Sequence, residues 1–127
     1  MNTKQLMTAS AITMGIAGLI LTFLPGESAR WMGLKDCPDL LLQLAGALYV
    51  GFAMLNWTAK GNLIGGIYSK PVALGNYAHF FIGAFALLKM AIHEGTNWYL
   101  YIATTIYVLF AALFGFVSFS SPLKKGA

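Results

Sequence analysis

Residues 98–119 read WYLYIATTIYVLFAALFGFVSF, a run of 22 residues that contains no charged side chain. A helix needs about 20 apolar residues to cross the roughly 30 Å hydrocarbon core of a bilayer. The run opens with Trp98 and Tyr99, whose rings favour the interface between membrane and water. It therefore predicts a membrane-spanning helix.

Three more apolar runs precede it, at about residues 6–24, 40–58 and 71–93. The first ends at Pro25-Gly26, a strong helix-ending pair. We expect this first run to be a retained span rather than a cleaved signal peptide, because it is longer than the hydrophobic region of a typical signal peptide. The connections are short, which favours antiparallel neighbours. The sequence thus predicts an all-α fold, with residues 1–127 forming one integral membrane domain, an antiparallel four-helix bundle.

The composition supports a membrane protein. Of the 127 residues, 58% are hydrophobic and only 9% are charged, whereas about a quarter of a soluble domain is charged. A soluble domain of this size leaves much of its surface exposed and could not hide so much apolar area. Soluble enzymes are therefore disfavoured. Nucleic-acid binding is also disfavoured, because the eight Lys and Arg residues form no dense basic stripe.

Catalytic motifs are missing from the sequence. The single cysteine, Cys37, excludes an internal disulfide and any site built from several cysteines. There is no HExxH motif and no Ser/His/Asp set at matching depth. The spans contain no acidic residue of the kind that proton-coupled multidrug transporters use. We expect no catalytic residue and no metal site, and a non-enzymatic protein is favoured over an enzyme.

Basic residues predict the orientation of the spans. One side of the predicted bundle carries only basic residues, namely Lys4, Lys60, Lys70, Lys124 and Lys125. The other side carries Arg30 and Lys35 together with all four acidic residues, Glu27, Asp36, Asp39 and Glu94. Short cytoplasmic segments are enriched in Lys and Arg. We therefore expect a multi-pass membrane protein with both termini in the cytoplasm.

The connection after the first span mixes charged and apolar side chains. Residues 27–34 read ESARWMGL. Such a segment predicts a short helix that lies along the outer membrane surface without crossing it.

The third span has two different faces. At about 100° per residue, its polar and small residues share one stripe, made of Val72, Gly75, Asn76, His79, Gly83, Ala86, Met90 and His93. The opposite stripe is mainly bulky and comprises Tyr77, Phe81, Ala84, Leu88 and Ile92. We expect the first stripe to contact protein and the second to contact lipid.

His79, one turn from Asn76, is the leading candidate site residue. Polar side chains inside a span are costly, so each is a candidate functional group. A neutral imidazole can bond to the second or fourth span, bind a ligand headgroup, or relay a proton. The alternative is a histidine that bonds across helices for packing alone.

Four other polar or aromatic residues are candidates for ligand binding or helix contact. Asn56 and Trp57 end the second span at the depth of Asn76 and His79, which predicts an inner polar cluster. The alternative is that Asn56 faces the membrane interface. Gln43 lies one turn into the second span. Lys89 either extends its amine to the interface or pairs inward with Gln43, Glu94 or an outer-loop aspartate.

Haem binding is a further alternative. His79 and His93 lie 14 residues apart, or about 21 Å along a helix, which resembles the spacing of haem ligands in cytochrome b-type bundles. The chain has only two histidines, so bis-histidine ligation would require a symmetric dimer.

Several stretches resemble small bacterial membrane proteins of the DoxX-like group. They are the Leu24-Pro25-Gly26 break, WMGL at 31–34, LQLAGALYVGFAM at 42–54, and IGGIYSKPVALGN at 64–76. The resemblance implies a four-helix bundle in a bacterial inner membrane. DoxX is named for its association with a quinol oxidase, which implies a respiratory or redox partner. No functional residue carries over, because the likeness rests on hydrophobic pattern and glycine placement.

The sequence therefore predicts a non-enzymatic inner-membrane protein, either an accessory subunit or a small bundle that binds lipid or quinone. We expect no cofactor, with quinone and haem as the alternatives. The expected partners are the lipid bilayer and either another membrane protein or a second copy in a homodimer. One alternative function is an oligomeric transporter or channel for a small solute, with Lys89 and Gln43 at the seam of a dimer. The other is a haem-binding redox protein.

Overall fold

The computed structural model describes residues 3–61, 70–94 and 98–119. These residues form five helices and no strand: α1 (Thr3–Phe23), α2 (Pro25–Trp31), α3 (Asp39–Ala59), α4 (Lys70–Glu94) and α5 (Trp98–Phe119). All but α2 are long and apolar enough to cross a membrane. The prediction of an all-helical chain with four such helices is confirmed. Two residues of the basic side, Lys124 and Lys125, lie outside the described residues.

The break between α1 and α2 follows from Pro25. Proline lacks a backbone N–H and favours the first turn of a helix, so α1 ends at Phe23 and α2 begins at Pro25. The short helix expected at residues 27–34 is thus present but begins two residues earlier and ends at Trp31. The chain then turns through Gly33 (φ 73°) and Asp36 (φ 57°), in a backbone region that glycine enters without steric cost.

Close backbone contact joins α1 to α3. A Cβ atom placed on Gly46 would lie 2.8 Å from the carbonyl oxygen of Gly18, and one placed on Gly18 would lie 2.9 Å from that of Gly46. Small residues allow this approach between membrane helices. Near the other end of the pair, Ser10 accepts a hydrogen bond from Asn56. The contacts run in opposite directions along the two helices.

Aromatic rings against glycines join α4 to α5. The ring of Tyr77 packs on Gly115, and the ring of Tyr107 packs on Gly83. Between them, Phe80 stacks on Phe110 with ring centroids 4.8 Å apart. These contacts also run in opposite directions along the helices. The chain therefore contains two closely packed helix pairs, α1 with α3 and α4 with α5, whereas α3 with α4 and α1 with α5 make few contacts.

The two faces expected on the third span need correction. Asn76 is buried, but Ala86 and His93 of the same stripe are exposed. On the expected lipid face, Ala84 is buried and Tyr77 is half-buried against α5. The reason is that α4 contacts α3 on one side and α5 on another, so its protein-facing surface is wider than a single stripe.

Candidate functional site

A cavity of about 270 Å³ lies between the two helix pairs, beneath α2. We call it the roofed cavity. All five helices contribute to its walls. Its lining residues are Thr13, Met14, Ala17, Ile20, Leu21, Ser28, Trp31, Met32, Tyr49, Phe80, Leu87, Tyr99, Ala103 and Tyr107. Most of these side chains are apolar, so the cavity suits the hydrocarbon part of a ligand.

The depth of the roofed cavity can be measured along α5. Tyr99, Ala103 and Tyr107 are spaced four residues apart and therefore share one face of the helix. Tyr99 lies near the start of α5, and Tyr107 lies eight residues further on. At 1.5 Å per residue, the cavity extends about 12 Å along the helix. Its deep end therefore lies near the middle of the span.

Helix α2 covers the shallow end of the roofed cavity. The ring of Trp31 stacks on Tyr99, with centroids 6.3 Å apart. The Ser28 hydroxyl donates a hydrogen bond to the carbonyl oxygen of Leu24 over 2.7 Å, within its own helix. This serine is buried and its one proton is used, so the roof presents mainly apolar surface to the cavity.

Three hydrogen-bonding side chains meet at the deep end. The hydroxyl groups of Tyr49 and Tyr107 form a short hydrogen bond with each other. Tyr107 Oη also lies 3.0 Å from His79 Nε2. These contacts link α3, α4 and α5 through polar atoms. We call Tyr49, Tyr107 and His79 the hydroxyl chain.

Aromatic neighbours hold His79 in place. Its ring stacks on Phe52 of α3, with centroids 5.3 Å apart and an interplanar angle of 29°. The Phe80 ring meets the His79 ring edge to face, with centroids 5.0 Å apart. Gly83 allows the Tyr107 ring to lie close to α4. His79 does not line the roofed cavity. It contacts both tyrosines on the side away from the cavity, through the hydrogen bond to Tyr107 and a ring contact with Tyr49.

A second polar cluster, formed by Asn56 and Asn76, lies about one helical turn from His79, and its amide groups are paired with each other. Asn56 Nδ2 donates to Asn76 Oδ1 over 2.7 Å, and Asn76 Nδ2 donates to Asn56 Oδ1 over 2.6 Å. Asn56 also donates to Ser10 Oγ, and Asn76 also donates to the carbonyl oxygen of Val72. All four amide protons are thus used. The structure therefore brings Asn56 and Asn76 together as an interhelical clamp with no amide proton left for a ligand.

The other predicted site residues lie apart from the roofed cavity. Trp57 is half exposed, and the Lys60 amine lies 3.1 Å from its ring centroid, a favourable cation–π contact. Gln43 and Lys89 are both exposed. None of these three residues lines the roofed cavity.

The first and last helices leave a loosely packed seam. A second cavity of about 510 Å³ lies there, lined by residues of α1 and α5 alone. It shares Thr13 with the roofed cavity. The two cavities are therefore neighbours at Thr13, where α1 and α5 make few contacts.

Sequence reasoning missed Tyr49 and Tyr107 as site residues. Tyrosines of membrane proteins concentrate at the interface, where the hydroxyl meets water. Tyr49 and Tyr107 lie instead near the middle of α3 and α5, where each hydroxyl needs a protein partner. Their mid-span position was the available signal.

Among the described residues, no three His, Cys, Asp or Glu side chains lie close enough together to hold a metal ion. Comparisons of the chain with models of protein families, with curated proteins and with solved structures find no match.

Proposed function

We propose that this protein is a non-enzymatic membrane protein that binds a lipid or quinone through its hydrocarbon part in the roofed cavity. The single observation that carries the proposal is the apolar space between all five helices, with the hydroxyl chain at its deep end. Away from the roofed cavity and the α1–α5 seam, large side chains such as Met7, Leu100 and Phe114 are almost completely buried.

The cellular setting belongs to the same proposal. The excess of Lys on one side of the spans favours an orientation with both termini in the cytoplasm, and the family resemblance implies a bacterial inner membrane. With this orientation, α2 and the shallow end of the roofed cavity lie towards the outer surface. The DoxX-like resemblance supports this setting and a respiratory or redox partner.

The bilayer determines which kind of binding is possible. An apolar molecule dissolved in lipid gains no hydrophobic stabilisation by moving into an apolar protein cavity, because lipid tails are equally apolar. Retention must come from close packing and from polar contacts. A cavity lined by residues of all five helices supplies the first of these contributions.

A cavity-filling variant tests the proposal. Ala103 lies on the wall of the roofed cavity, and Ala103→Phe would occupy part of its volume. Ala86→Phe is the matched control, because Ala86 is exposed on α4 and is not a wall residue. The protein is purified in mild detergent, and retained small molecules are identified by native mass spectrometry and by extraction.

We expect the wild type and Ala86→Phe to retain the same lipophilic molecule, and Ala103→Phe to lose it while keeping its helical circular dichroism. The proposal is wrong if the wild type retains nothing, or if Ala103→Phe retains as much as the control.

A further inference from the structure

We propose that the Tyr49 hydroxyl is the recognition group of the roofed cavity, and that the ligand carries one uncharged oxygen head, a carbonyl or a hydroxyl, on an apolar body. This inference rests on the proposed function and specifies the chemistry of its ligand. It concerns one atom of the wall and can be tested separately from the cavity itself.

The two tyrosines of the hydroxyl chain differ in their remaining hydrogen-bonding capacity. A phenol can donate one hydrogen bond and accept two. Tyr107 Oη already has two partners, Tyr49 and His79. Among the described residues, Tyr49 Oη has Tyr107 as its hydrogen-bond partner. Tyr107 therefore has one hydrogen-bonding position left, whereas Tyr49 has two. Both tyrosines line the cavity, and the Tyr49 hydroxyl has the larger remaining capacity for a ligand.

The hydroxyl chain can order its protons in two directions. In one, Tyr49 donates to Tyr107, and Tyr107 donates to Nε2 of a neutral His79 that carries its proton on Nδ1. Tyr49 then keeps only acceptor capacity and fits a ligand hydroxyl. In the other, Nε2–H of His79 donates to Tyr107, and Tyr107 donates to Tyr49. The Tyr49 proton is then free to bind a ligand carbonyl.

Both proton arrangements use the same three side chains, and all three side chains are uncharged in both. Neutral imidazole exists in two tautomers, and the partner on one nitrogen selects between them. The site can therefore bind a ligand head that is either a carbonyl or a hydroxyl group. It does so without a charged residue near the middle of the membrane. A charged head would have no counter-charge among Tyr49, Tyr107 and His79, so the chemistry favours an uncharged ligand.

The surrounding lipid makes this single hydroxyl selective. Hydrocarbon neighbours offer no hydrogen-bond partner, so an oxygen head gains its bond only at the protein. An apolar molecule of the same shape gains nothing from Tyr49. The oxygen-bearing molecule should therefore bind about five-fold more tightly, the ratio expected for one uncharged hydrogen bond.

Three naphthalene derivatives of similar shape serve as probes. 1-Naphthol carries a donor, 1-acetonaphthone carries an acceptor, and 1-ethylnaphthalene carries neither. Their apparent affinities are measured from ligand-dependent thermal shifts in mild detergent, because a ligand stabilises the state that it binds. The proteins are wild type, Tyr49→Phe, Ala103→Phe and Tyr77→Phe. Tyr77→Phe is the matched control, since Tyr77 packs on Gly115 away from the roofed cavity.

We expect both oxygen probes to bind wild type and Tyr77→Phe about five-fold more tightly than 1-ethylnaphthalene. In Tyr49→Phe, the three probes should bind alike. Equal binding of the three probes to wild type, or an unchanged preference in Tyr49→Phe, would overturn the inference while leaving the cavity proposal intact. If no probe shifts wild type more than Ala103→Phe, the proposed function itself fails.

Discussion

Asn56 on α3 and Asn76 on α4 exchange two hydrogen bonds, so that each side-chain amide donates to the other. Both residues are almost completely buried. The pair joins α3 to α4, two helices that otherwise make few contacts. It therefore connects one helix pair to the other at a position where the two pairs make few contacts.

Replacing one member of this pair should destabilise the protein. Asn76→Leu leaves the buried Oδ1 of Asn56 without its donor, and an unsatisfied buried polar group costs about 1–3 kcal/mol. Thr105→Val is the control, because Thr105 is exposed and donates its hydrogen bond within its own helix, to the carbonyl oxygen of Tyr101. Unfolding in mixed detergent measures the free energy.

The double variant Asn56→Leu with Asn76→Leu should cost less than the sum of the two single variants, since replacing both partners removes the unpaired group. Strictly additive losses would show that the two amides do not depend on each other.

The contact between Gly18 and Gly46 should tolerate no side chain. In Gly46→Ala, the new Cβ would lie 2.8 Å from the Gly18 carbonyl oxygen, so α1 and α3 must separate. Gly51→Ala is the matched control on the same helix, because a Cβ there meets nothing within 4 Å. We expect Gly46→Ala to lower the unfolding temperature clearly.

The control Gly51→Ala should be neutral or stabilising, because alanine favours a helix over glycine by up to about 1 kcal/mol. Equal stability of the two variants would contradict the close backbone approach.

Cys37 offers a direct test of the proposed orientation. It is the only cysteine of the chain and lies between α2 and α3, half-exposed. With both termini in the cytoplasm, a membrane-impermeant maleimide should label Cys37 in cells whose outer membrane is permeabilised.

The control for labelling is Cys37→Ser combined with Gly61→Cys, which moves the thiol to the exposed position that follows α3. We expect this variant to be labelled only after the inner membrane is opened. The reverse pattern would place the termini on the outer side.

Gly83→Ala should disturb the hydroxyl chain without altering its polar atoms. A Cβ on Gly83 would lie 2.7 Å from Cδ1 of Tyr107, so the tyrosine ring must move away from α4. We expect the ¹⁵N chemical shifts of His79 to change, as the hydrogen bond between Nε2 and the Tyr107 hydroxyl weakens. The His93 signals are identified separately with His93→Gln.

Gly75→Ala is the comparison here, because its Cβ would make only an ordinary contact, 3.8 Å from Phe52. Shifts of His79 that are the same in wild type and in Gly83→Ala would show that the ring position does not control the bond.

Much of the fold could be predicted because membrane spans are encoded by length and hydrophobicity alone. The four long helices begin and end within three residues of the predicted bounds. The short helix α2 could also be predicted, since Pro25 and the mixed charges after it mark both a break and an amphipathic segment.

The site was less predictable, because it depends on which helices become neighbours. Asn56 and Asn76 were placed at a common depth from the sequence, and a common depth is enough for residues on adjacent spans to meet. The partner of His79 required knowing that α4 packs against α5, and no local pattern around Tyr107 indicates that. The roofed cavity depends on spacing between helices, which hydrophobic pattern does not encode.

The division into two closely packed helix pairs has a consequence for assembly. Each pair is a helical hairpin whose contacts are largely its own: Gly18 with Gly46 in the first, Gly83 with Tyr107 in the second. A chain cut between Gly61 and Lys70 would leave each pair whole. Two such fragments, made together in one cell, should insert independently and find each other in the bilayer through Asn56 and Asn76.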